Sequence, residues 1–216
     1  MTELIGIALG WVVYGIVHSW LAGAAIKQAV AERWPGFSPA YRLVYNGLAV
    51  ILLLPPVWLT WRYSGAPLWH WPIWVAWPAT LLALAGFAWS MVWYDGMDFI
   101  GLRQWRLGRQ GQANNEKLSL SPLHRHVRHP WYALGLLLMW TRDLNAAWLV
   151  TTLVVSGYLI VGSRLEERKL IAIYGEAYRR YRERVPGLLP WPGRCLSVSE
   201  AETLLAESEK GQPTSR

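Results

Sequence analysis

Four long runs without a charged residue constrain the fold of this chain more than any other feature of its sequence. They comprise 23 positions between Glu3 and Lys27, 19 between Arg42 and Arg62, 32 between Arg62 and Asp95, and 20 between Asp143 and Arg164. A helix needs about 20 predominantly apolar residues to cross the hydrocarbon core of a bilayer. The runs therefore predict an all-α integral membrane protein in which they form the transmembrane helices.

A fifth apolar segment is shorter than the others. The 12 uncharged residues from Pro130 to Thr141 span only about 18 Å as a helix, so we expect this helix to start within the cytoplasmic leaflet. The tight turn at 142–145 then joins it to the last span as an antiparallel hairpin. The sequence thus predicts about five transmembrane helices, at residues 4–26, 43–61, 72–94, 130–141 and 146–162.

We expect one membrane domain over residues 1–193 and a polar, disordered tail over 194–216. The domain divides into a three-helix scaffold (1–94), a cytoplasmic loop (95–129), the helix hairpin (130–163) and a cytoplasmic cap (164–193). In the cap, Leu170, Tyr174, Tyr178, Tyr181 and Val185 recur at helical spacing on one face. This pattern predicts an amphipathic interfacial helix that lies over a pocket or on lipid.

The basic residues favour one orientation of the chain in the membrane. The net charge is +7, and 19 of the 21 Lys and Arg residues lie in 27–42, 95–128 and 164–216. With five spans these segments share one side, and positive charge favours the cytoplasm. We therefore expect a bacterial inner-membrane protein with its N-terminus outside and its C-terminus in the cytoplasm. Anionic lipid head groups account for the charge, so no nucleic-acid partner is predicted.

The segment from His124 to His129 contains three histidines in an HxHxxH pattern, which by itself suggests zinc or copper. Two arginines alternate with the histidines, and their fixed charges oppose a second cation, so we predict no metal. An anion is favoured instead. Pro130 suits the first position of a helix, and the free N–H groups at that helix end point towards Arg128 and His129.

The predicted hairpin brings two carboxylates, Glu166 and Glu167, to the membrane face where Arg128 and His129 lie. Such a set suits a ligand with a carboxylate, vicinal hydroxyl groups and a positive centre. The cations would bind the carboxylate, Glu166 or Glu167 would accept from the hydroxyls, and an aromatic face such as that of Tyr132 would attract the positive centre. S-adenosylmethionine (SAM) has all three features, although the spacing alone does not single it out.

Two further polar positions each have two interpretations. Asp95 and Asp98 could bind a metal or act as acid and base, or they could form a solvated helix end that pairs with Arg103. His18 lies at mid-depth of the first predicted span. There it is either a functional group or a neutral imidazole hydrogen-bonded to a neighbouring helix.

Several of these segments resemble a known family. SPLHRHVRHPWY (121–132), LEERKL (165–170) and YGEAYRRYRERVPGLLP (174–190) are similar to the C-terminal half of integral-membrane methyltransferases. These include isoprenylcysteine carboxyl methyltransferases and phospholipid N-methyltransferases. HSWLA (18–22) and DFIGLRQW (98–105) resemble more closely the NnrU-like and methanethiol S-methyltransferase branch.

The resemblance implies a SAM-dependent enzyme that methylates a small or lipophilic acceptor, with a thiol favoured. The expected cofactor contacts include Leu123 and His124, in the stretch Ser121–His124 where relatives often carry Gly-Pro-Tyr or Gly-x-Tyr. The resemblance itself implies that SAM is held beneath a cap made by the C-terminal helix, by Arg128, His129, Tyr132, Glu166 and Glu167.

The candidate catalytic residues are Arg128, His129 and Arg103. In-line methyl transfer depends mainly on alignment in a water-poor pocket, and a cationic neighbour lowers the pKa of a thiol acceptor. Arg103, His126 and His18 are candidates for contact with the acceptor.

Three other functions stay open at this point. One is carboxyl methylation of the isoprenylcysteine type. Another is an NADPH-dependent sterol-type reductase, in which arginines at 125–128 and 179–184 would serve the 2′-phosphate. The last is a non-enzymatic metal, haem or respiratory accessory protein, which the histidines suggest.

Overall fold

Helices account for nearly all the regular structure in the described part of this chain. The computed structural model describes residues 1–93, 95–108 and 118–210. Its α-helices are α1 (Thr2–Ala22), α2 (Ala24–Arg33), α3 (Tyr41–Arg62), α4 (Ile73–Ser90), α5 (Gly96–Ile100), α6 (Leu102–Leu107), α7 (Pro130–Trp140), α8 (Ala146–Arg184) and α9 (Val198–Lys210). Short 3₁₀ helices lie at Ser38–Ala40, Met91–Trp93 and Pro122–Arg125. The strands β1 (Pro67–Trp69) and β2 (Leu144–Asn145) pair antiparallel.

Among the described residues, four helical segments are long and apolar enough to cross a membrane, and α7 is a shorter apolar helix. The four are Thr2–Ala22, Ser38–Arg62, Ile73–Trp93 and Ala146–Arg184. Many of their large apolar side chains are exposed in the isolated chain, which suits surfaces that contact lipid. The predicted all-α integral membrane fold is confirmed, including the short fifth apolar helix.

The chain divides into two compact units. Among the described residues, the first comprises 1–72, 95–108 and 142–158, and the second comprises 73–93, 118–141 and 159–210. Helix α8 therefore contributes residues to both units.

Within the first unit, His18 is part of a chain of hydrogen bonds. Its Nδ1 atom lies 3.0 Å from the Tyr158 hydroxyl, and its Nε2 atom lies 2.7 Å from the Tyr45 hydroxyl. The Tyr158 hydroxyl also lies 2.9 Å from Ser19 Oγ. Gly15 permits this approach, because a Cβ there would lie 2.9 Å from the Tyr158 ring. These contacts match the interpretation of His18 as an imidazole hydrogen-bonded to neighbouring helices, since Tyr45 and Tyr158 lie on α3 and α8.

Asp95 and Asp98, also in the first unit, belong to a capped helix end. Asp95 Oδ1 accepts from the backbone N–H groups of Met97 (2.9 Å) and Asp98 (3.3 Å) at the start of α5. The guanidinium of Arg103 pairs with Asp95 and, at 2.9 Å, with Asp98. These contacts match the helix-end interpretation, because the cap and the arginine together engage both carboxylates.

In the second unit, α7 packs against α4. Trp131 Nε1 donates to Ser90 Oγ at 3.0 Å, and the Trp131 ring makes an edge contact with Phe87 at a centroid distance of 6.1 Å. Gly86 makes room for Leu134, whose Cδ2 atom would lie 2.8 Å from a Cβ at that position. This packing fixes the start of α7 and hence the position of the residues just before it.

Helix α8 extends further than the sequence predicts. The helical segment Ala146–Arg184 consists of two helices that meet in a kink at Gly175, so the first continues well past the predicted end at 162 and a separate helix of the cap begins only after Gly175. The dihedral angles of Gly175 (φ 58°, ψ −127°) fall where glycine avoids the steric cost that a Cβ would carry. The break allows the last turns of α8 to leave the axis of the apolar part.

Residues Val198–Lys210 form the helix α9 where the sequence predicts disorder. Ala201 and Leu204 are buried and pack with Leu196 against a cluster that includes Tyr178 and Tyr181. Partly exposed ion pairs join Arg184 to Glu200 at 2.7 Å and Arg180 to Glu207 at 2.8 Å. This corrects the expectation of a disordered tail over 198–210, because a mainly polar segment can bury one apolar face on a neighbouring helix. Residues 211–216 of the expected tail lie outside the described part.

Candidate active site

Backbone hydrogen bonds within the second unit join the segment before α7 to the segment that leaves α8. The N–H groups of Arg128 and His129 donate to the carbonyl oxygens of Pro186 (2.8 Å) and Gly187 (3.0 Å). Helix α7 begins at Pro130, as the sequence predicts, with His129 in the N-cap position. The two predicted cationic residues are therefore held beside the end of the cap.

Glu167 lies at the centre of a buried cluster of charged groups. Its Oε1 atom accepts from Arg128 Nε at 2.8 Å and lies 2.7 Å from Arg128 Nη2, while its Oε2 atom lies 3.4 Å from Nε of Arg182. The Arg128 and Glu167 side chains are only 10% and 8% exposed. A buried charge needs a partner and hydrogen bonds to offset its lost hydration. Arg128 and Glu167 therefore stabilise each other as a pair.

His129 bridges the two predicted carboxylates. Its Nε2 atom lies 3.1 Å from Glu167 Oε1, and its Nδ1 atom lies 3.4 Å from Glu166 Oε2. Its ring is stacked on Tyr132, with centroids 5.3 Å apart. Burial by itself lowers the pKa of His129, but hydrogen bonds to Glu166 and Glu167 and their negative charges outweigh it, so the pKa lies above its ordinary value. Each ring nitrogen of His129 has a carboxylate oxygen nearby, and this favours the imidazolium form, in which both nitrogens are donors.

A cavity of about 180 Å³ adjoins this cluster. Four of the predicted cofactor residues line it, namely His124, Arg128, His129 and Glu166. The other predicted residues, Leu123, Tyr132 and Glu167, are not part of the lining. Tyr132 stacks on His129, and Glu167 is bonded to Arg128 and His129. The structure thus brings the segment of Arg128 and His129 together with that of Glu166 and Glu167. Several of these side chains bind each other and do not face the cavity alone.

The cavity also has lining residues that the predicted site lacks. Tyr174, Tyr178 and Tyr181 of α8 form part of its wall, together with Leu170 and the segment 118–120. The helical spacing of the tyrosines is the sequence signal that places them on one face of the cap. The segment 118–120 carries no comparable motif.

His124 has a different environment from His129. Its Nδ1 atom lies 2.8 Å from Ser121 Oγ, and its backbone carbonyl accepts from the Tyr181 hydroxyl at 2.7 Å. Burial and the positive charge of His129 lower the pKa of His124 to about 4, against a smaller opposing effect of Glu166. The side chain of His124 is therefore neutral at pH 7.

We expect His124 to make the protein less stable in mild acid. The pKa of a histidine in the unfolded chain is about 6.5, whereas the pKa of folded His124 is about 4. Between these two pH values the unfolded chain binds more protons at this position than the folded chain does. The free energy of unfolding therefore decreases as the pH falls through this range. His129 acts oppositely, because the stabilisation from its raised pKa is complete below the unfolded pKa and is lost as the pH rises through the folded pKa. In thermal unfolding between pH 7 and 5, the His124→Gln variant should lose less stability than the parent. Identical pH profiles would contradict this assignment.

The remaining candidate residues have other surroundings. Arg103 belongs to the first unit, where it pairs with Asp95 and Asp98, and His18 lies in the hydrogen-bond chain of the same unit. His126 is exposed, whereas His129 is buried. Among the residues that the structure describes, no group of three or more His, Cys, Asp or Glu is arranged to hold a metal ion.

Proteins of similar sequence are methyltransferases. The chain is 32% identical over 194 residues to the methanethiol S-methyltransferase of Mycobacterium tuberculosis, which covers 84% of this chain and 76% of that protein. It is 32% identical over 186 residues to methanethiol S-methyltransferase 2 of Bradyrhizobium diazoefficiens (82% and 69%). It is 29% identical over 189 residues to the methanethiol S-methyltransferase of Crocosphaera subtropica (84% and 72%). No protein-family model and no solved structure matches the chain.

The fold and these relatives together define the class, an integral-membrane methyltransferase. The identity to the mycobacterial enzyme extends over most of both chains, and on that basis this chain belongs to the methanethiol S-methyltransferase family. The resemblance that the sequence motifs indicate is thereby confirmed.

Proposed function

We propose that this protein transfers a methyl group from SAM to the sulfur of a small thiol at the membrane, with methanethiol as the first candidate. The observation that carries this proposal is the 32% identity, over 84% of the chain, to an enzyme named for methanethiol. SAM supplies an activated methyl group. The thiol releases its proton, the new sulfur–carbon bond forms as the sulfonium–methyl bond breaks, and the products are a methyl sulfide, S-adenosylhomocysteine (SAH) and a proton.

The cavity offers groups that suit parts of SAM. The Glu166 carboxylate is 50% exposed and can accept from ribose hydroxyls. The rings of Tyr174 and Tyr178 line the cavity and can attract a sulfonium. Pockets for drug-sized ligands enclose about 300–1,000 Å³, so a cavity of about 180 Å³ would receive only part of the molecule. Cofactor contacts at Leu123 and Tyr132 stay predictions.

His129 is the residue best suited to assist a thiol acceptor. It lines the cavity, and its raised pKa favours a positive charge, which lowers the pKa of a nearby thiol and increases the thiolate fraction. Alignment of the two sulfur atoms would supply much of the remaining rate enhancement. Arg103 stays a candidate residue for contact with the acceptor.

We also propose an orientation with the N-terminus outside a bacterial inner membrane and the cofactor site in the cytoplasm. The 19 basic residues concentrated in three segments support it through the preference of positive charge for the cytoplasmic side.

The proposed reaction is tested with the purified protein in lipid vesicles. With SAM labelled on its methyl group and methanethiol, we expect labelled dimethyl sulfide in the headspace. SAH should also raise the unfolding temperature saturably, because a ligand at 100 times its Kd stabilises by about 2.7 kcal/mol. Stabilisation by NADPH and not by SAH would favour a reductase instead. SAH binding without dimethyl sulfide would retain the methyltransferase and reject methanethiol, and an isoprenylcysteine analogue would then be tested.

A further inference from the structure

We propose that Arg128 is a positioning residue that holds Glu167 and the end of α8 in place, and that it does not bind the carboxylate of the cofactor. The proposal rests on the proposed function, because it concerns how the same site is assembled. It differs from the role that the sequence suggests, in which the guanidinium pairs with the ligand.

The guanidinium of Arg128 is surrounded by acceptors of the protein itself. Its Nε donates to Glu167 Oε1 at 2.8 Å, and its Nη2 lies 2.7 Å from the same oxygen. Its Nη1 donates to the carbonyl oxygens of Arg182, at 2.9 Å, and of Val185. A guanidinium has five N–H donors. The hydrogen bonds engage the donor on Nε and both donors on Nη1, and Nη2 lies within ion-pair distance of the same carboxylate, so little of the guanidinium is left for a ligand.

Two of these acceptors lie at the C-terminal end of α8. The last carbonyl groups of a helix have no partner within the helix, and the helix dipole favours a positive charge near them. Arg128 satisfies both conditions through Arg182 and Val185, and its backbone N–H bonds the next carbonyl, that of Pro186. Arg128 thus fastens the turns of α8 that carry Tyr178 and Tyr181 to the segment that carries His129.

Gly187 lies against the Nη2 side of the guanidinium. A Cβ at Gly187 would lie 3.3 Å from Arg128 Nη2 and 3.9 Å from Glu167 Oε1. Although Arg128 borders the cavity, its side chain is only 10% exposed. The contacts therefore assign Arg128 to the framework of the cavity and leave the cofactor carboxylate to other groups.

A comparison of two ligands tests this assignment. SAH has a carboxylate, whereas 5′-methylthioadenosine has the same adenosine and thioether sulfur but no carboxylate. Binding is measured by isothermal titration for the parent and for Arg128→Gln, well below their unfolding temperatures. A positioning role predicts that both ligands weaken by the same factor, about tenfold or more. A loss confined to SAH would mean that Arg128 binds the carboxylate and would overturn the proposal.

The conservative variant Arg128→Lys gives a second test, which needs only the binding of SAH and not that of 5′-methylthioadenosine. In Arg128→Lys, an ammonium group can pair with a ligand carboxylate but cannot span Glu167 and two carbonyl oxygens as the planar fork does. We therefore expect no rescue of SAH binding by lysine relative to glutamine. Recovery to near the parent Kd would contradict the proposal. A lower binding stoichiometry of the Arg128→Lys protein with an unchanged Kd would also contradict the proposal, because it would mean that part of the protein is unfolded and that the folded part binds normally.

Arg168→Gln is the matched control, because Arg168 is an exposed arginine next to Glu167 on the same helix. Its Kd for SAH should equal that of the parent. If the parent itself does not bind SAH, the proposed function fails and not the assignment of Arg128. The effect of Arg128→Lys on the unfolding temperature then tests the assignment of Arg128, since a framework role requires a clear decrease in that temperature.

Discussion

The Glu167→Gln variant is expected to lose about 3–5 kcal/mol of unfolding free energy. Glutamine keeps the shape of the side chain but removes the negative charge that pairs with Arg128 and His129, whose side chains are 10% and 6% exposed. Arg128 would then keep its charge in a largely buried position without its carboxylate partner, and His129 would retain only Glu166. For a chain of this size, 1 kcal/mol shifts the unfolding temperature by about 2–4 °C, so thermal unfolding should show a decrease on the order of 10 °C.

Glu166→Gln makes the same chemical change one residue earlier and serves as the control. Glu166 is 50% exposed and lies 3.4 Å from His129 Nδ1. Exposed ion pairs contribute about 0–1 kcal/mol, so the unfolding temperature of this variant should stay within about 4 °C of the parent. Equal losses in the two variants, or an unchanged Glu167→Gln protein, would show that Glu167 is not the centre of the cluster.

The Leu204→Asp variant is expected to detach α9 and to lose about 3 kcal/mol or more. Leu204 is buried in the cluster with Leu196, Tyr178 and Tyr181, and a carboxylate there would have to give up its hydration. The loss cannot exceed the free energy of docking α9, because the helix can separate and leave the rest folded. Thermal unfolding measures the loss, and limited proteolysis near Ser197 should become faster.

Ala206→Asp introduces the same side chain on the exposed face of α9. Exposed substitutions usually change stability by less than about 0.5 kcal/mol, so proteolysis and thermal unfolding should match the parent. If Leu204→Asp also behaves like the parent, residues 198–210 form the disordered tail that their composition suggests, and the packing of α9 is refuted.

Much of the fold follows from the sequence because a bilayer imposes a simple requirement. A spanning helix must be long and uncharged, and each of the four uncharged runs overlaps one of the four helices of spanning length. The start of α7 at Pro130 follows equally directly, since proline suits the first turn of a helix. The sequence also predicts the proximity of Arg128 and His129 to Glu166 and Glu167, through the short connection between the last two apolar segments.

The contacts within these elements could not be predicted in the same way. The sequence analysis assigns Arg128 to the carboxylate of a ligand and Glu167 to its hydroxyl groups, yet the two side chains lie 2.7 Å apart. His18 contacts tyrosines that follow it by 27 and 140 positions, and no local pattern connects such residues. Helix α9 is mainly polar, and the apolar face that it covers on α8 becomes available only once α8 is folded.

The sequence by itself determined that this protein is a helical membrane protein, where most of its helices lie, and which residues carry the charge of the site. Only the tertiary structure decided how those charges are paired, that tyrosines of α8 form a wall of the cavity, and that α9 supports that wall. The physical reason is one of range. Transfer into a bilayer depends on the composition of a continuous segment, whereas a hydrogen bond or an ion pair depends on distances of about 3 Å between residues far apart in the chain.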